Sequence, residues 1–142
     1  MYLAGCISAH YNENEYYKAT RWRKDAIKVL SDKNIILGKN KFTWFDPTVN
    51  FTINITTPQS KAVLQQNKLY LNKSDILLVN LDRLSDSSGT IYEIIYAGIK
   101  DKPIIAFGND KLFHAPHISE NITVRFDNLD NALQCIFDYF IQ

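Results

Sequence analysis

Cysteine is scarce in this chain. Among 142 residues only Cys6 and Cys135 carry a thiol, and neither has a CxxC partner. Two cysteines so far apart in sequence read as reduced, core-type residues of a cytoplasmic protein. Histidine is also sparse, with 3 in the chain and no clustered Cys/His spacing, which argues against a structural zinc site. Net charge is nearly absent, at +1, and no basic run or stripe is visible, so nucleic acid is disfavoured as a partner. No apolar run approaches the roughly 18 residues of a membrane span. The amino terminus lacks the charged region and long apolar run of a secretory signal, which again points to the cytoplasm. There is no internal repeat, low-complexity tract or linker.

Apolar and aromatic residues are what the chain does have. It is 46% hydrophobic, with 8 Phe, 8 Tyr and 2 Trp, enough for a sizeable core. The length suits one domain spanning residues 1–142. So many Tyr and Phe in a small domain also fit a homo-oligomer.

Strand and helix patterns alternate along the chain. Tyr2–Ile7 reads as a strand, followed by a polar turn, Ser8–Glu15. Tyr16–Leu30 has the helical period, with Ala19, Trp22, Ala26, Ile27 and Leu30 on one stripe. Phe42–Phe45 is a second strand, stopped by Asp46-Pro47, and Thr48–Thr57 is a Thr- and Asn-rich loop. Thr57-Pro58 starts a helix that runs to about Lys73, with Thr as cap and Pro at the first helical position. Ile76–Val79 is a third strand and Thr90–Ile99 a third helix. Pro103–Phe107 is a fourth strand, Asn109–Ser119 a loop with room for one helical turn, and Ile122–Phe126 a fifth strand. Asp127 caps a last helix, Leu129–Phe140.

This alternation predicts a parallel sheet with helices on both faces. The expected fold is a flavodoxin-like, doubly wound α/β sheet of five strands. Its switch point lies between the first and third strands, so the loops Cys6–Glu15 and Leu81–Ser88 should line the site. Glu93, in what reads as the first turn of the third helix, then stands at the carboxyl end of a strand and the amino end of a helix. The helix dipole favours a carboxylate there. An ionised carboxylate at the mouth of a cleft is what a nucleophile for sugar C1′ needs. Thr90-Ile91-Tyr92-Glu93 also fits the capping box [ST]-x-x-[DE], and the two roles compete. A side chain folded back onto the Thr90 amide is badly placed to attack a sugar.

Five elements occur in order. They are Tyr2-Leu3-Ala4-Gly5, Phe45-Asp46-Pro47, Ser74-Asp75, Ser87-x-Gly89-Thr90-x-x-Glu93, and Lys102-Pro103-Ile104-Ile105-Ala106-Phe107-Gly108. Together they span nearly the whole chain. They resemble the nucleoside 2-deoxyribosyltransferase family and its relatives that hydrolyse nucleoside monophosphates. The resemblance implies that Glu93 is the nucleophile, forms a glycosyl-enzyme intermediate and passes the sugar to a second base. It implies nucleoside salvage, no metal and no organic cofactor, and small-molecule partners: a nucleoside or nucleotide and a free base. It also implies sites completed across subunits.

Two departures from the family pattern bear on chemistry. Where relatives carry an Asp eight residues before the Asp of the third-strand entry, this chain has Asn67. An Asn can bond a base edge but supplies no proton. That leaves open a binding-only relative that has lost the acid. Two residues before Gly89, where deoxyribosyltransferases acting on free nucleosides hold sugar hydroxyls with an Asp, stands Ser87, with Asp86 before it. Ser87, Ser88 and the Gly89 amide could form a small anion cradle for a 5′-phosphate, or could simply cap the helix. Ser8 and His10 stand where the phosphate-hydrolysing relatives carry Arg and glycine.

Other positions are softer candidates. Gly5 would let the first loop approach a ligand, or would be a plain turn glycine. Asp46 is a candidate for base or sugar contact, or a turn-forming Asp before proline. Asp82 and Asp86 are candidates for the sugar hydroxyls. Tyr2 and Tyr11 could stack on a base, though packing is the commoner use. His114 and His117 read as a surface pair. Three functions follow: sugar transfer between bases, hydrolysis of nucleoside 5′-monophosphates, and nucleotide binding without catalysis.

Overall fold

The computed structural model describes residues 1–39, 41–50 and 57–140. The elements in order are β1 (Tyr2–Gly5), α1 (Ser8–Asn12), α2 (Tyr16–Leu37), α3 (Thr57–Lys73), β2 (Leu77–Asn80), α4 (Ser88–Ile99), β3 (Ile104–Phe107), α5 (Pro116–Ser119), β4 (Val124–Phe126) and α6 (Leu129–Tyr139). Short 3-10 turns occupy Pro47–Asn50, Leu84–Asp86 and Lys111–His114.

Among the described residues the sheet has four parallel strands in the order β1-β2-β3-β4. Side chains alternate across it. Tyr2, Ala4, Leu77, Val79, Ile104 and Ala106 face one way, packed with Leu71 of α3 and with Ile94 and Ala97 of α4. Leu3, Leu78, Ile105 and Phe107 face the other way, against Trp22, Ala26 and Leu30 of α2 and Leu133 and Ile136 of α6. Both faces are covered, which is why β2 and β3 read as continuous apolar runs.

The second of the five expected strands was Phe42–Phe45, and the structure holds a single bridge there, between Phe45 and Tyr2. The Leu3 amide donates to the Phe45 carbonyl and the Phe45 amide to the Met1 carbonyl, both at 3.0 Å. The pairing cannot extend back to Phe42. The Asn34 carboxamide accepts from the Phe42 amide and donates to the Phe42 carbonyl, each at 2.9 Å. A helix side chain takes the groups a neighbouring strand would use. The edge order beside β1 is otherwise that of the expected doubly wound sheet.

Other boundaries moved for local reasons. Helix α2 outruns its apolar stripe and continues to Leu37, where Gly38 ends it in the left-handed conformation (φ 62°). Ile35 and Ile36 in that last turn are exposed. The expected turn Ser8–Glu15 contains the short helix α1. Helix α6 is capped by Asn128, whose side chain accepts from the Asn131 amide at 2.9 Å, instead of Asp127. Asp127 sits at the surface, 3.6 Å from Arg125. Helix α3 begins where expected, at Thr57, while the side chains of Thr57 and Pro58 lie outside the described residues. No described helix is long and apolar enough to cross a membrane.

Gly98 fixes how α4 meets α5. A Cβ there would lie 1.8 Å from Asn121 Oδ1 and 2.9 Å from Asn121 Cβ. Asn121 is held in place by its donation to the His117 carbonyl at 2.7 Å. Helix propensity favours alanine over glycine by about 1 kcal/mol, but overpacking costs about 1–3 kcal/mol. Gly98→Ala is therefore expected to lower the urea midpoint. An unchanged or higher midpoint would mean that Asn121 swings away at no cost.

Candidate functional site

The amino end of α4 shapes the site. Ser87 is its cap: the Ser87 hydroxyl accepts from the Thr90 amide at 3.4 Å and lies 2.7 Å from the Thr90 hydroxyl. The helix thus starts at Ser88, earlier than a Thr90 cap would place it. Glu93 falls in the second turn instead of the first. It shares a buried stripe with Thr90, Ile94 and Ala97, the spacing of a helix face turned to the core. Two expectations change. Glu93 does not close a capping box, since Ser87 caps the Thr90 amide. The helix dipole also weakens beyond the first turn and does little for this carboxylate.

What holds Glu93 is Tyr2. The Tyr2 hydroxyl donates to Glu93 Oε1 at 2.7 Å, and both side chains are buried. Oε2 accepts no hydrogen bond among the described residues and is not sealed away from solvent. Burial pushes the Glu93 carboxyl up to about 7, while the Tyr2 hydroxyl and the charge of Arg23 pull it part of the way back. Burial and the facing carboxylate suppress ionisation of Tyr2 strongly. The Tyr2 ring packs against Phe45, with centroids 5.3 Å apart, and Phe45 stacks on Tyr70 at 3.9 Å. Tyr2 therefore holds the carboxylate and is not a platform for a base. Tyr11 packs edge-on against Tyr16 at 5.8 Å.

Arg23 of α2 is fully buried and had no place in the sequence reading. It donates to the carbonyls of Leu3 (3.3 Å), Gly5 (3.0 Å) and Ala19, and lies 3.4 Å from Asp46 Oδ1. Desolvation holds it below the usual arginine value, at about 10, which still leaves it charged at neutral pH. Asp46 accepts from the Thr48 amide (2.9 Å) and hydroxyl (2.7 Å). It is the turn-forming Asp and the partner of Arg23, and does not line the cavity. An arginine on the apolar stripe of α2, between Ala19 and Ala26, was the available sign of a buried charge.

These elements enclose a cavity of about 210 Å³ at the carboxyl end of β1. Its walls include Gly5, Ser8, Asn67, Asp86, Ser87 and Glu93, with Ser88–Thr90 from the first turn of α4. The sequence candidates Gly5, Asn67, Asp86, Ser87, Gly89 and Glu93 are thus brought together. Gly5 has a packing reason as well: a Cβ there would lie 3.1 Å from the Trp22 ring and 3.3 Å from Asn80 Cβ. It is the last residue of a strand, not a turn glycine. Asn67 makes no hydrogen bond among the described residues, so its carboxamide is uncommitted.

Asp82 stands apart from this cavity. Its Oδ1 accepts from the Asn109 amide at 3.1 Å and packs under Gly108, tying the end of β3 to that of β2. Asp82 lines instead a second, larger cleft of about 680 Å³, together with His10, Trp22 and Arg83. His10 is on that side and not at the Glu93 cavity. His114 and His117 are exposed at the far end of the chain, as read. Among the described residues, none of those lining the Glu93 cavity is Lys, Arg or His. No group of three or more His, Cys, Asp or Glu among the described residues is placed to hold a metal ion.

The fold is shared with a solved 2-deoxyribosyltransferase from the psychrotolerant bacterium Bacillus psychrosaccharolyticus. The TM-score is 0.65 at 22% sequence identity, over 92% of this chain and 87% of that one. No family model and no curated protein matches the chain.

Proposed function

We propose that this protein transfers a 2-deoxyribosyl group between nucleobases, with Glu93 as the nucleophile. One observation carries the reading: a buried glutamate at the carboxyl end of the sheet, fixed through one oxygen by Tyr2 and free at the other. The shared fold with a 2-deoxyribosyltransferase supports it. Glu93 Oε2 attacks C1′ of a deoxynucleoside. The C1′–N bond breaks, its electron pair stays on the departing base, and that base takes up a proton. A nitrogen of a second base then attacks C1′, displaces the carboxylate and loses its own proton. Two displacements at one carbon retain configuration. A carboxyl group near 7 is about half ionised at neutral pH, and it is more basic, hence more nucleophilic, than an ordinary carboxylate. The reaction needs no metal or organic cofactor in this scheme.

Asn67 faces the departing base from the cavity wall and bonds its edge without protonating it. The proton therefore comes from solvent. A cavity of this size is below the roughly 300–1,000 Å³ of drug-sized sites, so it suits the sugar, with the base reaching outward. A 5′-phosphate fits poorly. Ser87 is occupied with Thr90, Glu93 brings negative charge, and no cation among the described residues lines the wall. Free nucleosides are the favoured substrate over monophosphates.

The test is base exchange. Deoxyadenosine, deoxycytidine or thymidine is incubated with a different free base, and the matching 5′-monophosphates are run in parallel, with products read by liquid chromatography. A new deoxynucleoside is expected from the free nucleosides alone. Free base released only from monophosphates would replace transfer by hydrolysis. Silence in every lane, with a nucleoside bound by calorimetry, would make the protein a non-catalytic binder and Asn67 the reason.

A further inference from the structure

We propose that Arg83 is a positioning residue that pins the two loops facing each other across the Glu93 cavity, and so sets its width. The inference rests on the Glu93 cavity being the binding site. Arg83 itself is not in the cavity wall. It stands in the loop after β2, and its guanidinium is shared between two carboxylates from different parts of the chain. NH1 and NH2 donate to the two oxygens of Glu13, and NH2 and Nε donate to Asp86 Oδ2 at 2.9 and 3.0 Å.

The geography gives these bonds their consequence. Glu13 directly follows α1, whose first residue, Ser8, lines one side of the cavity. Asp86 lines the other side and precedes Ser87, the cap of α4. Glu13 and Arg83 are 70 residues apart in sequence. Among the described residues, the Arg83 fork is a charged tie between these loops above the sheet. Asp86 is thereby held with its charge directed to Arg83.

The backbone gives an independent sign. Arg83 adopts φ 62°, ψ 30°, the left-handed region that non-glycine residues enter at a cost. Glycine would fit there without strain, yet the position carries the side chain with a five-donor fork. Exposed ion pairs are usually worth little, but a bidentate fork shared in a network is the exception. At 28% side-chain exposure Arg83 is the least exposed of the three. Salt should loosen it.

Arg83→Gly separates the two roles of the residue, because it relieves the backbone while removing the fork. Glu13→Ala removes only the cross-loop partner, outside the cavity. Both variants are expected to unfold within a few degrees of the parent. In base exchange each should raise KM about five- to tenfold, with kcat within twofold. The double variant should be no worse than Arg83→Gly alone. The parent's KM should rise with added salt and that of the variants should not. Hydrogen exchange at the amides of 8–13 and 84–89, measured without substrate, should quicken in both variants alike. That last readout stands even where no nucleoside is turned over. Failure of the transfer reading is thus distinguishable from failure of this one. A silent Glu13→Ala, with unchanged exchange and KM, would overturn the proposal, as would additive losses in the double variant.

Discussion

Glu93→Gln is expected to cut deoxyribosyl transfer by at least about a thousandfold, a loss of the kind that follows removal of a nucleophile. The variant is a narrow one. Gln keeps the shape of the side chain, and its carbonyl oxygen can still accept from the Tyr2 hydroxyl, which is 2.7 Å from Glu93 Oε1 in the parent. Packing of Tyr2 on Phe45 is untouched. What disappears is the second oxygen's ability to carry charge and bond to C1′. Loss of a single positioning hydrogen bond would cost less, about a hundred- to a thousandfold at its strongest. The parent's pH profile provides the companion reading. Only the ionised carboxylate attacks, so kcat/KM should rise with pH through a limb near 7, the value to which burial pushes this group. Base exchange is measured across pH 5–9 for both proteins. A variant that keeps a tenth of the parent's rate would end the case for Glu93 as nucleophile.

Much of the sheet was legible in the sequence because it is an apolar pattern. Ile104–Phe107 and Leu77–Val79 are continuous apolar runs bounded by polar turns, and both became strands within a residue or so of where they were read. Phe42–Phe45, whose apolar residues are interrupted by Thr43, was also expected as a strand and did not form one. Its pairing groups were taken by Asn34, a contact between a helix side chain and a backbone eight residues on that composition does not reveal. The site divides the same way. Asn67, Ser87, Gly89 and Glu93 were found by position along the chain, and they do meet at one cavity. The partners of Glu93 were not found. Tyr2 lies 91 residues away, and only the depth of β1 relative to α4 brings the two together. Arg23 is a charge on an otherwise apolar helical stripe, and nothing along the chain names the carbonyls of Leu3 and Gly5 that it bonds. Asp82 is placed away from the Glu93 cavity. It sits in the right loop, but its carboxylate is engaged with the Asn109 amide.

The same Glu93→Gln substitution should stabilise the protein, and only at high pH. In the folded chain the Glu93 carboxyl is raised from 4.5 to about 7, chiefly by burial. The native state therefore holds this proton more tightly than the unfolded chain does. Between about pH 4.5 and 7 the native state binds more protons, so stability falls as pH rises through that window. Below the window Glu93 is protonated in both states and costs nothing. Above it the buried charge is carried in full. At 1.36 kcal/mol per pH unit the difference is about 3 kcal/mol. Gln carries no such charge, so the variant should match the parent near pH 4 and exceed it by about 3 kcal/mol at pH 8. For a chain of this size that is a gain of about 10 °C in Tm. His10, whose shift owes nothing to Glu93, is common to both proteins and cancels in the comparison, while Arg23 and Tyr2 lose the charge of Glu93 in the variant. The result also bears on the chemistry. If the two proteins melt together at pH 8, water in the cavity or Arg23 is solvating the charge, and Glu93 is an ordinary carboxylate. The activity limb should then move down towards 4.5 with it. If the gain appears, the protein is giving up stability to keep a buried carboxylate that its fold alone does not need.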